Sequence, residues 1–197
     1  MSIPPHNHSP RPSSQGEPAP GDLELVRAFV NTRELDPDIE ELPDPAALAG
    51  WLEAHGLRVP GAPSVDEHRR AIGFREALRE LLLAKTRGEA VAGEALSELR
   101  RAAGQSTIRV EIGADGSVAT APAADGVDAL FAAILAAAAA AQRSGEWDRL
   151  KICPADECLW AFYDRSRNRS RQWCSMEVCG NRAKTRAYRA KRGLPAG

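Results

Sequence analysis

Lys151-Ile152-Cys153-Pro154-Ala155-Asp156-Glu157-Cys158 is followed, fifteen residues after its second cysteine, by Cys174-Ser175-Met176-Glu177-Val178-Cys179. The two cysteine pairs share the spacing C-x4-C, and the 197-residue chain has no other cysteine. Two short loops that each offer two thiolates can complete a tetrahedral Zn²⁺ site with little backbone strain. The expectation is one structural zinc per chain, held by Cys153, Cys158, Cys174 and Cys179. The alternative is a pair of disulfides or four unrelated buried thiols, as in small, cysteine-dense secreted scaffolds. Met1 to Pro20 shows no apolar run of a secretory leader; its Pro, Ser, His and Gly predict a disordered tail over residues 1–20 and a cytoplasmic chain.

Around the thiols, Leu159 to Tyr163 and Gln172-Trp173 read as two strands joined by a loop from Asp164 to Arg171. Gly180 is expected to allow close approach of backbone to metal. Arg182 to Lys191 reads as a helix that Gly193 and Pro195 end. So small a module has a thin core, so zinc is expected to supply most of its folding free energy, on the order of 10 kcal/mol or more.

The joint pattern of Trp173-Cys174-Ser175-Met176, Cys179-Gly180-Asn181-Arg182, the two x4 spacings, Trp160, Phe162 and Asp164 to Asn168 resembles the CGNR zinc finger over about the last 45 residues. Upstream, Glu24 to Leu57, with Phe29-Val30-Asn31-Thr32, is similar to the ABATE domain that usually precedes this finger. The resemblance implies a stress-related transcription regulator. It divides the chain into a tail over 1–20, an ABATE-like α+β domain over 21–148 and the finger over 149–194.

Charge follows the same division. The formal net charge is −1, yet from Arg149 onward 12 Lys or Arg face 4 Asp or Glu, whereas residues 1–148 hold 14 against 23. A basic terminal module on an acidic body is expected to turn only its tail toward a polyanion, unless the two parts simply attract each other. Two clusters carry the positive charge: Arg165, Arg167, Arg169 and Arg171 on the loop, and Arg182, Lys184, Arg186 and Arg189 on the helix. Like charges at i and i+4 oppose a helix unless something anionic offsets them. DNA is the expected partner; folded or single-stranded RNA and an acidic protein are the alternatives. Arg182 either contacts the nucleic acid or pairs with Asp164. Asn181 is expected to cap or turn, and Trp160 and Trp173 to pack on the site.

The body reads as mainly helical, giving an α+β chain. Asp22 is placed to cap a helix through Leu25, Val26, Phe29 and Val30, and Pro45 opens one with Leu48, Trp51 and Leu52. Ser64 and Glu67 form a capping box for a long helix with Ile72, Phe74, Leu78, Leu81 and Leu82 inward, and a further helix is expected over Glu89 to Ala103. Thr107 to Ile112, Asp115-Gly116 and Ser117 to Thr120 predict a hairpin. Val127 to Gln142 is an Ala-rich helix whose apolar run is shorter than the roughly 20 residues a bilayer needs, so no membrane span is expected. With these stripes, residues 21–148 are expected to fold without the finger.

Catalysis finds no support in the motifs. His6-Asn7-His8 lies in the tail, His55 sits at a helix end, and His68 is placed on a solvent face. No phosphate loop or nucleophile elbow occurs, and a four-thiolate zinc has no open position for water. The reading is a zinc-dependent, DNA-binding regulator and not an enzyme.

Overall fold

The computed structural model describes residues 17–192. The expectations for His6-Asn7-His8, for most of the 1–20 tail and for the Gly193 and Pro195 stop lie outside these residues. Ala19, within the expected tail, is buried, and its N–H donates to Glu24 at 2.6 Å, so the packed body begins before residue 21.

Five helices build the body: α1 (Leu23–Asn31), α2 (Pro45–Ala54), α3 (Val65–Arg87), α4 (Gly93–Gln105) and α5 (Gly126–Ser144). The helix starts follow local chemistry. Asp44 accepts the Ala47 N–H at 2.9 Å ahead of Pro45, and Ser64 with Glu67 closes a reciprocal capping box on α3. Asp22 makes no capping bond, contrary to expectation, and itself adopts helical dihedrals. Helix α4 starts at Gly93 and not at Glu89. Gly88, left-handed at φ 72°, and Glu89 spend their N–H groups on the last carbonyls of α3, which leaves them outside any new helix.

Three two-stranded antiparallel ladders complete the α+β fold: β1 (Arg33–Glu34) with β2 (Ile39–Glu40), β3 (Ile108–Ile112) with β4 (Val118–Pro122), and β5 (Leu150–Ile152) with β6 (Ala161–Tyr163). The core lies where α1, α2, α3 and α5 meet. Val26, Phe29, Leu48, Leu52, Phe74, Leu82, Leu130, Phe131 and Ile134 have no exposed surface, and the Phe74 and Phe131 rings lie 4.4 Å apart. Helix α5 is the one described helix long and apolar enough to cross a membrane; here its Val127, Leu130, Phe131 and Ile134 fill the protein core.

A buried ion network, not legible in the sequence, ties α3 to the β1–β2 turn. Arg75, 2% exposed, forks onto both oxygens of Glu40 at 2.7 Å and also reaches Thr32 and Glu76. One turn on, Arg79 donates to the Val30 and Arg33 carbonyls, closing the C-terminal end of α1. A guanidinium so placed is tolerated because nearly every donor has an acceptor. His68, expected on a solvent face, is half-buried, with its Nε2 at 2.9 Å from the Leu42 carbonyl oxygen. His55 caps α2 as expected, its Nδ1 2.8 Å from the Trp51 carbonyl oxygen and its ring stacked on Trp51.

The β5–β6 hairpin positions the C-terminal site because it is built into the body. Leu150, Ile152, Ala161 and Tyr163 join the main core. The Asn31 amide pairs with both backbone groups of Ala161, at 2.9 and 2.7 Å, as a third strand would. Thr86 accepts the Ile152 N–H, and the half-buried Lys85 ammonium donates to the Trp147 and Leu150 carbonyls.

Candidate metal centre

The first thiol pair sits at the tip of that hairpin. Cys153 continues β5, its N–H bonding the Trp160 carbonyl at 2.9 Å, and a turn closed by Cys158 N–H on Ala155 O at 2.8 Å brings the second thiol beside it. Leu159, at φ 46°, takes the left-handed step that returns the chain to β6. The partner of the aromatic strand is therefore the segment before Cys153; Gln172-Trp173, expected as a strand, pairs with none. Trp173 instead packs on the thiols, which leaves its backbone no ladder to join.

The second pair comes from a wide π-type turn, Met176–Gly180, whose Ser175 hydroxyl accepts the Val178 N–H at 3.3 Å. Cys174 precedes this turn and Cys179 lies within it. Gly180 has ordinary helical dihedrals, φ −64°, and a Cβ there would stand 3.3 Å from the Trp173 ring and 2.4 Å from the sulfur of the exposed Met176, which would have to swing aside. The helix α6 (Asn181–Lys191) follows directly.

All four Sγ atoms lie within 4.8 Å of one another, with Cys158 to Cys174 at 3.5 Å and Cys174 to Cys179 at 3.7 Å. Four sulfurs placed tetrahedrally about a Zn²⁺ at about 2.3 Å stand about 3.8 Å apart, so the cluster has the size of a zinc site. Its electrostatics make the same demand. Thiol donors from Cys158, Cys174 and Cys179 pull the Cys153 pKa down, and that anion, above all, pushes Cys158 and Cys174 up. Four thiolates this close need a cation between them. Ala155, Phe162, Trp160, Trp173 and Val178 enclose the cluster, so the four cysteines form one closed zinc site.

Residues 23–145, more than half of the chain, match the model of the ABATE family, described as "Putative stress-induced transcription regulator", and residues 149–192 match the CGNR zinc finger. The chain belongs to the ABATE family. Its four-cysteine site is that of a CGNR finger. A search of curated proteins finds no match to the chain.

In this ABATE protein the cationic side chains expected to meet nucleic acid divide into two groups. Several are already paired. Arg182 bonds Asp36 of the body at 2.7 Å and not Asp164, Arg186 forks onto Glu157 at 3.0 and 3.2 Å, Arg165 pairs with Glu17 at 2.8 Å, and Arg169 lies 3.7 Å from Asp148. Arg171 lies over the Phe162 ring and donates to the Trp173 and Cys174 carbonyls, supporting a ligand loop. Arg167 and Lys184 are exposed and Arg189 is half-buried, and the three make no ion pair among the described residues. Asn181 anchors the start of α6 on the π-type turn, its amide donating to Glu177 O at 3.0 Å.

Asp164 is occupied by its own loop. Fully buried, it accepts from Lys151 at 2.7 Å and from the Ser166 and Arg171 N–H groups at 2.9 Å each. The Lys151 ammonium also takes the Arg169 and Arg171 carbonyls, so the loop turns its carbonyls inward and its arginine side chains outward. Burial alone would raise the Asp164 pKa; the Lys151 and Ser166 hydrogen bonds overcome that and hold it at about 2. A lowered carboxylate pKa gives stability that is present above about pH 4 and lost as pH falls through 2. Its size is about 2 kcal/mol. Asp164→Asn is expected to lower zinc-loaded stability at pH 7 by that amount or more, measured by urea unfolding, since Lys151 then faces no counter-charge. Equal stability of variant and wild type at pH 7 would contradict this role.

Proposed function

We propose that the protein is a cytoplasmic, zinc-dependent transcription regulator that binds duplex DNA through its CGNR finger. The observation that carries the reading is the outer face of α6. At 100° per residue, Lys184, Tyr188 and Lys191 share one side of the helix, opposite Arg182 and Arg186, whose charges are already met by Asp36 and Glu157. The paired arginines fix the helix to finger and body. The opposite side stays cationic and exposed, as does Arg167 on the loop. The family description supports a regulator, and a closed four-thiol site supports a structural metal over a catalytic one.

Duplex is favoured over single strands by the tryptophans. Trp160 and Trp173 are half-buried against the thiols, and a stacking platform for unpaired bases needs its rings free. Arg167, Lys184, Lys191 and Arg192 can neutralise about four phosphates, so log K is expected to fall with log salt at a slope near −3.6. Reversing Lys184 and Lys191 to Glu should weaken binding to every sequence and bring the slope to about −1.8. Fluorescence anisotropy with duplex DNA, structured RNA and an acidic polypeptide across a salt series tests the reading. Binding that is salt-independent, undetectable at low salt, or stronger for either competitor would overturn it.

A further inference from the structure

Strand β3 reads Ile108-Arg109-Val110-Glu111-Ile112, a sequence that is its own complement when turned end for end: apolar faces apolar, and plus faces minus. Every residue of this strand is exposed. Ile108 (43%), Val110 (66%) and Ile112 (78%) lie on one face with Val118 (71%) of β4, directly opposite Ile112. Among the described residues β3 pairs only with β4, which leaves its other edge open.

The ladder shows which backbone groups that edge offers. Gly113 N–H bonds Ser117 O, and Ala123 N–H bonds Thr107 O. In an antiparallel pair the bonded positions alternate, so the odd-numbered residues face β4, and Ile108, Val110 and Ile112 turn their N–H and C=O groups outward. An open edge with three apolar side chains on one face is a template for another strand.

We propose that this edge is a dimerisation strand, and that a second copy of the chain pairs with it antiparallel about a two-fold axis at Val110. The outward groups of Val110 then bond the partner's Val110, and those of Ile108 bond the partner's Ile112. The result is a four-stranded sheet in the order β4-β3-β3-β4. Charge fixes the register. With this centre each Arg109 faces the partner's Glu111. A slip in either direction that keeps the hydrogen bonds puts Arg109 opposite the partner's Arg109, or Glu111 opposite the partner's Glu111. In the single chain these two charges satisfy each other, Arg109 Nε to Glu111 Oε1 at 2.8 Å, with Arg109 also on the Pro122 carbonyl. Pairing extends that bond into a four-charge cluster across the seam. A seam this short buries less than the roughly 1,200 Å² of most stable complexes, so the dimer is reversible and depends on concentration.

The test is sedimentation equilibrium on the full, zinc-loaded chain over a wide concentration range. Wild type is expected to shift from monomer to dimer. Arg109→Glu alone and Glu111→Arg alone each put like charges opposite in the dimer and should weaken it about tenfold or more. Both also lose the internal ion pair, so the deciding measurement mixes the two variants: in the mixed dimer every facing pair is opposite in charge. Association of the mixture close to the wild-type level supports the inference. Wild type that stays monomeric, single variants that associate as wild type does, or a mixture that associates no better than its components overturns it. None of these readings involves nucleic acid.

Discussion

Cys174→Ser is expected to abolish stoichiometric zinc and to release the chain from about residue 172 to 192, while the five body helices and the β5–β6 hairpin persist. The asymmetry follows from what else holds each ligand. Cys153 and Cys158 sit on a hairpin whose Leu150, Ile152, Ala161 and Tyr163 are packed in the main core, so that half of the site is positioned by the body. Cys174 precedes a π-type turn and Cys179 lies within it, and neither this turn nor the exposed helix that follows has a fully buried aliphatic side chain. Their remaining ties are the partly buried packing of Trp173 and Val178 around the thiols, and Arg182 to Asp36, Arg186 to Glu157 and the Arg171 contacts, polar pairs worth about 0 to 1 kcal/mol each. A structural zinc contributes an apparent 10 to 16 kcal/mol at neutral pH, far more than those ties together. Elemental analysis should give about one zinc for wild type and none for the variant, and limited proteolysis should cut the variant first after residue 164. A variant that keeps one zinc, or loses it with no change in the cleavage pattern, would sink this account.

The zinc site was the most legible part of the chain because its signal is covalent spacing: two C-x4-C pairs and no competing cysteine. The helices of the body were legible where capping chemistry is local, as at Asp44-Pro45 and Ser64 to Glu67, and the β3–β4 hairpin was legible from its alternation. What escaped depends on the meeting of distant segments. Arg75 and Glu40 lie 35 positions apart, and Asn31 and Ala161 lie 130 apart; nothing in their local sequence distinguishes them from surface polar residues. The strand misplaced at Gln172-Trp173 has the same cause, since aromatic residues satisfy strand propensity and metal-site packing equally well. The sequence offers Arg182 two roles, nucleic acid or Asp164, whereas its partner in the fold is Asp36, supplied by a body loop 146 residues upstream.

Ending the chain at residue 148 is expected to leave a body that does not melt cooperatively, whereas a fragment over residues 17–166 should melt as one unit even without zinc. The apolar stripes of 21–148 predict independent folding, but the packing of β5 and β6 opposes it. Leu150, Ile152 and Ala161 are fully buried in the body core and Tyr163 nearly so. Burying one large apolar side chain contributes about 1.5 to 3 kcal/mol, so loss of Leu150, Ile152 and Tyr163 costs about 5 to 9 kcal/mol. Polar partners are stranded as well. Asn31 loses both bonds to Ala161, Thr86 loses the Ile152 N–H, and the half-buried Lys85 loses the Leu150 carbonyl while keeping that of Trp147. Asn31 is the one left buried without these bonds, which adds about 1 to 3 kcal/mol. A domain of this size is stable by only about 5 to 15 kcal/mol in total, so the deficit is of the order of the whole. Circular dichroism and calorimetry on the two fragments decide the matter. A sharp, reversible transition for the fragment ending at 148, with stability equal to that of the longer one, would show that the hairpin only rests on the body; a broad transition restored by residues 149–166 would show that the finger's first strand pair belongs to the body's own core.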